Sequence, residues 1–101
     1  MAGTVDKDPA TARSLIASGA TVLDVRTPEE FAGGHVASAT NLPVDDVAAR
    51  MAEVDKLVAG DKTKPVVVYC ARGGRAQKAK ETLEAAGYTH VVNGGGYSDL
   101  K

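Results

Sequence analysis

Residues 65–70 read Pro65-Val66-Val67-Val68-Tyr69-Cys70. Branched β carbons favour extended backbone, because they pack well on a pleated surface. The run shows no alternation of apolar and polar side chains, so both faces of this strand are expected to be buried. Burial on both faces belongs to strands inside a parallel sheet covered by helices. Parallel neighbours also need long crossover connections, usually helical. This one segment therefore requires helices elsewhere in the chain.

The flanking sequence supplies them. Asp8-Pro9 is a helix start, with an acceptor side chain at the N-cap and proline at the first helical position. Ala12, Leu15 and Ile16 follow at one-face spacing, and Gly19 closes the helix. Thr21-Val22-Leu23-Asp24-Val25 is short and β-branched, and predicts a strand. Thr27-Pro28-Glu29-Glu30 is a second helix start in which Thr27 and Glu30 can form a capping box; Gly33-Gly34 ends it quickly. Asn41-Leu42 is a short extended piece stopped by Pro43. Val44, Val47, Ala48, Met51, Val54 and Val58 trace one helical face up to Gly60. Ala76, Ala79, Leu83 and Ala86 form the last long helical face, closed by Gly87, with Lys78, Lys80, Glu81 and Glu84 on its wet side. Thr89-His90-Val91-Val92 predicts a final strand, followed by Gly94-Gly95-Gly96. Strands alternating with helices specify an α/β domain with a mostly parallel sheet.

Size and charge bound the function. A chain of 101 residues is read as one domain, residues 1–101. Twelve Lys and Arg against thirteen Asp and Glu leave a net charge of −1, which argues against a general nucleic-acid binder. No apolar run approaches the ~20 residues of a spanning helix, so no membrane partner is expected. One cysteine excludes an internal disulfide, a multi-cysteine zinc site and C-x-x-C redox chemistry. Its distance in sequence from His35 and His90 gives no metal spacing, so neither metal nor cofactor is expected. Met1-Ala2-Gly3-Thr4 does not begin a basic-then-apolar leader. The expectation is a cytoplasmic protein if the chain is complete, and an exported one if a signal peptide has been removed. A monomer is expected.

Chemistry concentrates at one place. Binding in open α/β sheets favours the carboxyl ends of strands. Cys70 stands at the end of the most buried strand, followed by Ala71-Arg72-Gly73-Gly74-Arg75 and then a helix. Thiolate is the reactive form of cysteine. Loop amides and the positive end of a helix dipole stabilise negative charge. Gly73 and Gly74 permit positive φ, so the loop can curl and turn its amides inward. Arg72 and Arg75 add two cationic forks suited to an oxyanion. A lone cysteine is most often a small buried hydrophobe; the strand end, the glycines and the arginines reverse that preference here.

With these residues in view, the chain resembles the single-domain rhodaneses, a family of sulfurtransferases. The resemblance runs over nearly the whole length. It is carried by Leu23-Asp24-Val25-Arg26, Glu29-Glu30-Phe31, Gly34-His35-Val36 through Ala39-Thr40-Asn41-Leu42-Pro43, the strand into Cys70, and Gly94-Gly95. It implies about five mostly parallel strands with helices on both faces. It also implies that Cys70 carries a persulfide between two half-reactions, with thiosulfate or another sulfane sulfur donor, and a thiol or cyanide as acceptor. Phosphatases and arsenate reductases of similar fold resemble C-x5-R, whereas here Cys70 to Arg75 is C-x4-R and the longer spacing falls on Ala76. The shorter loop suits a sulfur atom better than a tetrahedral phosphate. Two loop arginines favour thiosulfate over mercaptopyruvate by family analogy.

Arg26 and Tyr97 are candidates for the pocket wall, although Arg26 is expected more readily to pair with Glu29 or Glu30. Asp24, inside a buried strand, needs partners and is expected to bond loop amides. By the same resemblance, His35 is expected to be satisfied by backbone; His90, beside the last strand, is expected to be exposed or locally packed. The closing helix after Tyr97 is expected to be barely present, since the sequence stops at Lys101. The competing reading is a rhodanese-like module without catalysis, or a dedicated sulfur carrier.

Overall fold

The computed structural model describes residues 7–101, so the opening Met1-Ala2-Gly3-Thr4 lies outside the described residues. Nine elements of regular helix and strand follow one another. They are α1 (Pro9–Ala17), β1 (Thr21–Asp24), α2 (Pro28–Ala32), β2 (Ala39–Asn41), α3 (Met51–Leu57), β3 (Val66–Cys70), α4 (Gly74–Ala85), β4 (Val91–Gly96) and α5 (Tyr97–Leu100). The sheet order is β2-β1-β3-β4, with every neighbouring pair parallel. All four strands therefore end at the same sheet edge.

The two early helices start as their caps dictate. The Asp8 carboxylate accepts from the Thr11 amide at 3.1 Å, ahead of Pro9. The Thr27 hydroxyl accepts from the Glu30 amide at 3.2 Å, while Glu30 accepts from the Thr27 amide at 3.1 Å. This reciprocal box begins α2 directly after the carboxyl end of β1.

Strand β3 is buried at all five positions. Its alternation divides two cores. Val66, Val68 and Cys70 pack with Leu23, Val25, Val54, Val58, Ala76, Ala79 and Leu83, on the α3 and α4 side. Val67 and Tyr69 pack with Ala12, Val22, Leu15, Ile16, Tyr97 and Leu100, on the α1 and α5 side. Helices thus cover both sheet faces. Each fully buried valine contributes about 1.5–3 kcal/mol, and that burial fixes the strand whose last residue is Cys70.

Three expectations need correction. The described residues form four strands rather than about five. Before α1 the chain makes one parallel bridge, Lys7 to Asn93, with the Asp8 amide donating to the Asn93 carbonyl at 2.7 Å. The helical face drawn from Val44 to Val58 is broken into a 3₁₀ turn over Val44–Asp46, a turn over residues 47–50, and α3. Val44 and Val47 stand at an i, i+3 spacing that eclipses in a 3₁₀ turn. The neighbouring Asp45 and Asp46 are weak helix formers, and Ala48 is exposed. Finally, β4 begins at Val91 and continues through the glycine run to Gly96. A side chain on Gly94 would meet Leu100 at 3.0 Å and Ala12 at 3.1 Å, so this stretch of strand packs tightly against the helices.

Candidate active site

Cys70 ends β3 with its side chain only 1% exposed, on the α4 side of the sheet. The chain turns through Ala71, Arg72 and Gly73 and enters α4 at Gly74. Gly73 makes the turn at φ +109°, a conformation that costs other residues a steric penalty. Its amide donates to the Cys70 sulfur at 2.8 Å. Gly74 takes ordinary helical geometry as the first residue of α4, so only one of the two loop glycines has positive φ. The opening amides of a helix have no intrahelical acceptor and carry the positive end of its dipole. The Cys70 sulfur therefore meets the Gly73 amide beside the positive end of α4, a setting that suits a sulfur anion.

Two supports hold the loop in place. The Gly73 carbonyl accepts from the Gln77 amide at 2.9 Å and from Asn93 Nδ2 at 3.1 Å. Asn93 is fully buried; its Nδ2 also donates to Gln77 Oε1 at 3.1 Å, and its Oδ1 accepts from the Gly95 amide at 2.9 Å. The second support is a close approach. Cys70 pairs with Gly96 across the β3–β4 ladder. A β carbon on Gly96 would lie 2.1 Å from the Ala71 carbonyl oxygen, which is impossible without moving backbone. The late glycine run is thus the floor of the cysteine loop.

The loop cations differ from one another. Arg75 presents its fork to Glu30, with Nη1 to Oε1 at 2.8 Å and Nη2 to Oε2 at 3.0 Å. Arg75, together with the Thr27 amide, draws the Glu30 carboxyl from its ordinary 4.5 to about 2. Glu30 in turn raises the Arg75 pKa above its ordinary value. The pair ties α4 to the capping box of α2. Arg72 is exposed and makes no hydrogen bond or ion pair among the described residues. Ala71 is exposed beside it.

Arg26 takes a different partner from the expected Glu29 or Glu30. Its Nε donates to Asp24 Oδ1 at 3.0 Å and Oδ2 at 3.1 Å, and its Nη2 donates to Oδ2 at 2.6 Å and to the Gly34 carbonyl at 2.7 Å. Residues two apart at a strand end point to the same side, and that proximity decides the pairing. Asp24 also accepts from the Arg26 amide at 2.9 Å and from the Tyr69 hydroxyl at 2.8 Å. Among these partners only the Arg26 N–H is the kind of amide expected. The Arg26 guanidinium lies 4.9 Å from the Tyr97 ring centroid and 5.5 Å from that of Tyr69. Tyr69 and Tyr97 belong to the core on the α1 and α5 side, and Cys70 to the core on the other. The structure thus brings Arg26 and Tyr97 to each other. Burial raises the Tyr69 pKa, and its bond to Asp24 adds to the rise.

His35 donates from Nδ1 to the Phe31 carbonyl at 2.8 Å and stacks on the Phe31 ring at 3.6 Å. His90 is exposed. Sequence reasoning did not find Glu30 as the partner of Arg75, nor Asn93 as the loop's anchor. Asn93 did leave a signal: a polar side chain directly after two valines in a strand must find partners. The Glu30–Arg75 contact joins residues 45 apart and leaves none.

The sequence matches the Rhodanese-like domain family over residues 8–101. Among named proteins, the chain is 42% identical to thiosulfate sulfurtransferase PspE of Escherichia coli, over 77% of this chain and 71% of that protein. It is 35% identical to thiosulfate sulfurtransferase GlpE of Pseudomonas entomophila, over 86% of this chain and 76% of that one. A longer relative, HIGH ARSENIC CONTENT 1 of Arabidopsis thaliana, is 39% identical, and the match spans 58% of its length. Two solved structures share the architecture. An E. coli rhodanese with anions superposes with a TM-score of 0.72 at 40% identity, covering 81% of this chain and 92% of that one. The human single-domain sulfurtransferase TSTD1 gives 0.74 at 29% identity, covering 96% and 95%. The strand-end cysteine, the parallel sheet beneath it and these likenesses agree: the chain belongs to the rhodanese family.

Proposed function

We propose that this protein is a thiosulfate sulfurtransferase, working as a single domain, in which Cys70 carries the transferred sulfur. The observation that carries the reading is the buried Cys70 sulfur receiving the Gly73 amide at 2.8 Å, at the opening of a twelve-residue helix. In the first half-reaction the Cys70 thiolate attacks the outer sulfur of thiosulfate. A sulfur–sulfur bond forms at Cys70, the bond in thiosulfate breaks, and sulfite leaves with its electron pair. The resulting persulfide lies among the amides of residues 71–75. In the second half-reaction cyanide or a thiol takes the outer sulfur and the thiolate returns. This is covalent catalysis with ping-pong kinetics. Ala71, Gly73 and Gly74 serve by keeping the loop small and its amides accessible, and the loop arginines favour anionic donors. The names of PspE and GlpE, both thiosulfate sulfurtransferases, support the choice of donor.

The test is thiocyanate formation from thiosulfate and cyanide, with initial rates on a grid of both substrates. Parallel double-reciprocal lines, and loss of the activity in Cys70→Ser, are expected. Intersecting lines or an active Cys70→Ser would refute the mechanism. An inactive wild type would favour a binding or sulfur-carrier module instead.

A further inference from the structure

We propose that Asn93 is a positioning residue for the second half-reaction: together with Gln77 it holds the Gly73 amide on the Cys70 sulfur while that sulfur becomes the leaving group. The inference rests on the sulfurtransferase reading above and gives a task to a residue outside the cysteine loop.

Asn93 lies on β4 with no exposed surface, so its side-chain amide must be satisfied inside the protein. Backbone groups settle which way that amide points. The Gly95 N–H can only donate, and it donates to Oδ1 at 2.9 Å. The Gly73 carbonyl can only accept, and it accepts from Nδ2 at 3.1 Å. The second Nδ2 hydrogen goes to Gln77 Oε1 at 3.1 Å, which turns Gln77 Nε2 toward Glu81 Oε2 at 3.3 Å. One acceptor and two donors are needed on one short planar group, and asparagine supplies them. A carboxylate in its place would set an oxygen against two other acceptors.

Gly73 joins this clamp to the nucleophile. Its N–H donates to Cys70 Sγ at 2.8 Å, while its carbonyl is held by Asn93 and by the Gln77 amide at 2.9 Å. Gly73 has φ +109° and no β carbon, so its own side chain does nothing to fix its peptide planes. The grip on the carbonyl does that instead. The clamp is anchored in the sheet that carries Cys70, because Asn93 pairs with Val68 two residues earlier on β3.

The two half-reactions use that N–H unequally. In loading, the Cys70 thiolate attacks; a donor on its sulfur stabilises the anion but also blunts it as a nucleophile. In discharge, the cyanide carbon bonds to the outer sulfur, the sulfur–sulfur bond breaks, and its electron pair returns to Cys70 Sγ as thiocyanate departs. Negative charge then grows on the atom that the Gly73 N–H faces, and a donor already in place lowers that barrier. Loss of the clamp should therefore slow discharge more than loading. A loop that was only loosened would slow the two alike.

The experiment separates the half-reactions in single turnover. Loading is read as sulfite released from thiosulfate, and discharge as thiocyanate formed when the desalted persulfide meets a cyanide series. Asn93→Asp keeps an acceptor for Gly95 and turns an oxygen on the Gly73 carbonyl. Gln77→Met removes the second partner of Asn93 without adding charge, at a partly exposed position of α4. Asn93→Asp is expected to lower the maximal discharge rate roughly ten- to hundredfold, the scale of a misplaced reacting geometry. Its loading rate should change less than about threefold, and its half-saturating cyanide concentration should stay close to that of wild type. Gln77→Met should show the same bias at about three- to tenfold. The assignment is overturned if Asn93→Asp discharges like wild type, or if loading falls as far as discharge. Should Asn93→Asp fail to fold, Gln77→Met decides on the same criteria. A wild type that releases no sulfite sinks the thiosulfate reading itself, and this one with it.

Discussion

Replacing Gly96 by alanine isolates the support under the cysteine loop. Gly96 has φ −100° and ψ 162°, an extended conformation that alanine adopts freely. The added methyl carries no backbone penalty, so any effect comes from what it touches. That is the Ala71 carbonyl, with its oxygen 2.1 Å and its carbon 2.9 Å from the new β carbon, and the Arg72 Cα at 3.4 Å. Restoring an ordinary contact requires the loop to rise by about 1 Å. A misplacement of that size can cost about 10²-fold in rate, and overpacking of this kind costs about 1–3 kcal/mol. The assay is thiocyanate formation together with the thermal midpoint, where each kcal/mol shifts Tm by about 4–8 °C in a domain of this length. Gly74→Ala is the contrasting substitution, because a methyl there meets nothing within 4 Å and the residue is already helical. It should leave Tm unchanged or raise it. Gly96→Ala with activity within twofold of wild type and an unshifted Tm would refute the claim that β4 supports the loop.

Two further outcomes follow from the charge network. Asp24→Ala leaves the buried Arg26 guanidinium and the Tyr69 hydroxyl without their shared acceptor, so a loss of about 3–5 kcal/mol is expected in urea unfolding; a loss below 1 kcal/mol would contradict the network drawn here. Glu30 has a folded-state pKa of about 2 against an ordinary 4.5, chiefly through Arg75. A depressed carboxylate stabilises the fold above its unfolded pKa and loses that contribution as pH falls through the folded one. The Tm difference between wild type and Glu30→Gln should therefore be full above about pH 4.5 and shrink as pH approaches about 2. The pair is more than a third exposed, so the difference should be modest and fall with added salt. A difference that grows on acidification would refute the assignment.

Much of this fold is legible in the sequence because its local signals agree with its packing. The valines of β3 declare burial on two faces, and the boxes at Asp8 and Thr27 place two helix starts. The broken segment after Pro43 was less legible, because an apolar face at i, i+3 and i+4 spacing fits both one long helix and a 3₁₀ turn followed by a short one. The glycines of β4 read as a loop by composition. They form a strand by pairing with β3, and at Gly96 the Ala71 carbonyl comes too close for a side chain; no local rule shows that. The position of Cys70 and its loop could be read from the order strand, cysteine, glycine, helix. The pairing of Arg75 could not, because it depends on Glu30 being brought across the fold to its guanidinium. For Arg26 a partner two residues away prevailed over the expected ones farther along the chain.

The central claim is that Cys70 holds a sulfur atom covalently, and intact mass tests it most directly. The protein is weighed before and after thiosulfate, then after cyanide, as wild type and as Cys70→Ser. The account predicts a gain of one sulfur, about 32 Da, that cyanide removes and Cys70→Ser never shows, as expected of a nucleophilic cysteine. An unchanged mass in the wild type, or the same gain in Cys70→Ser, would contradict it.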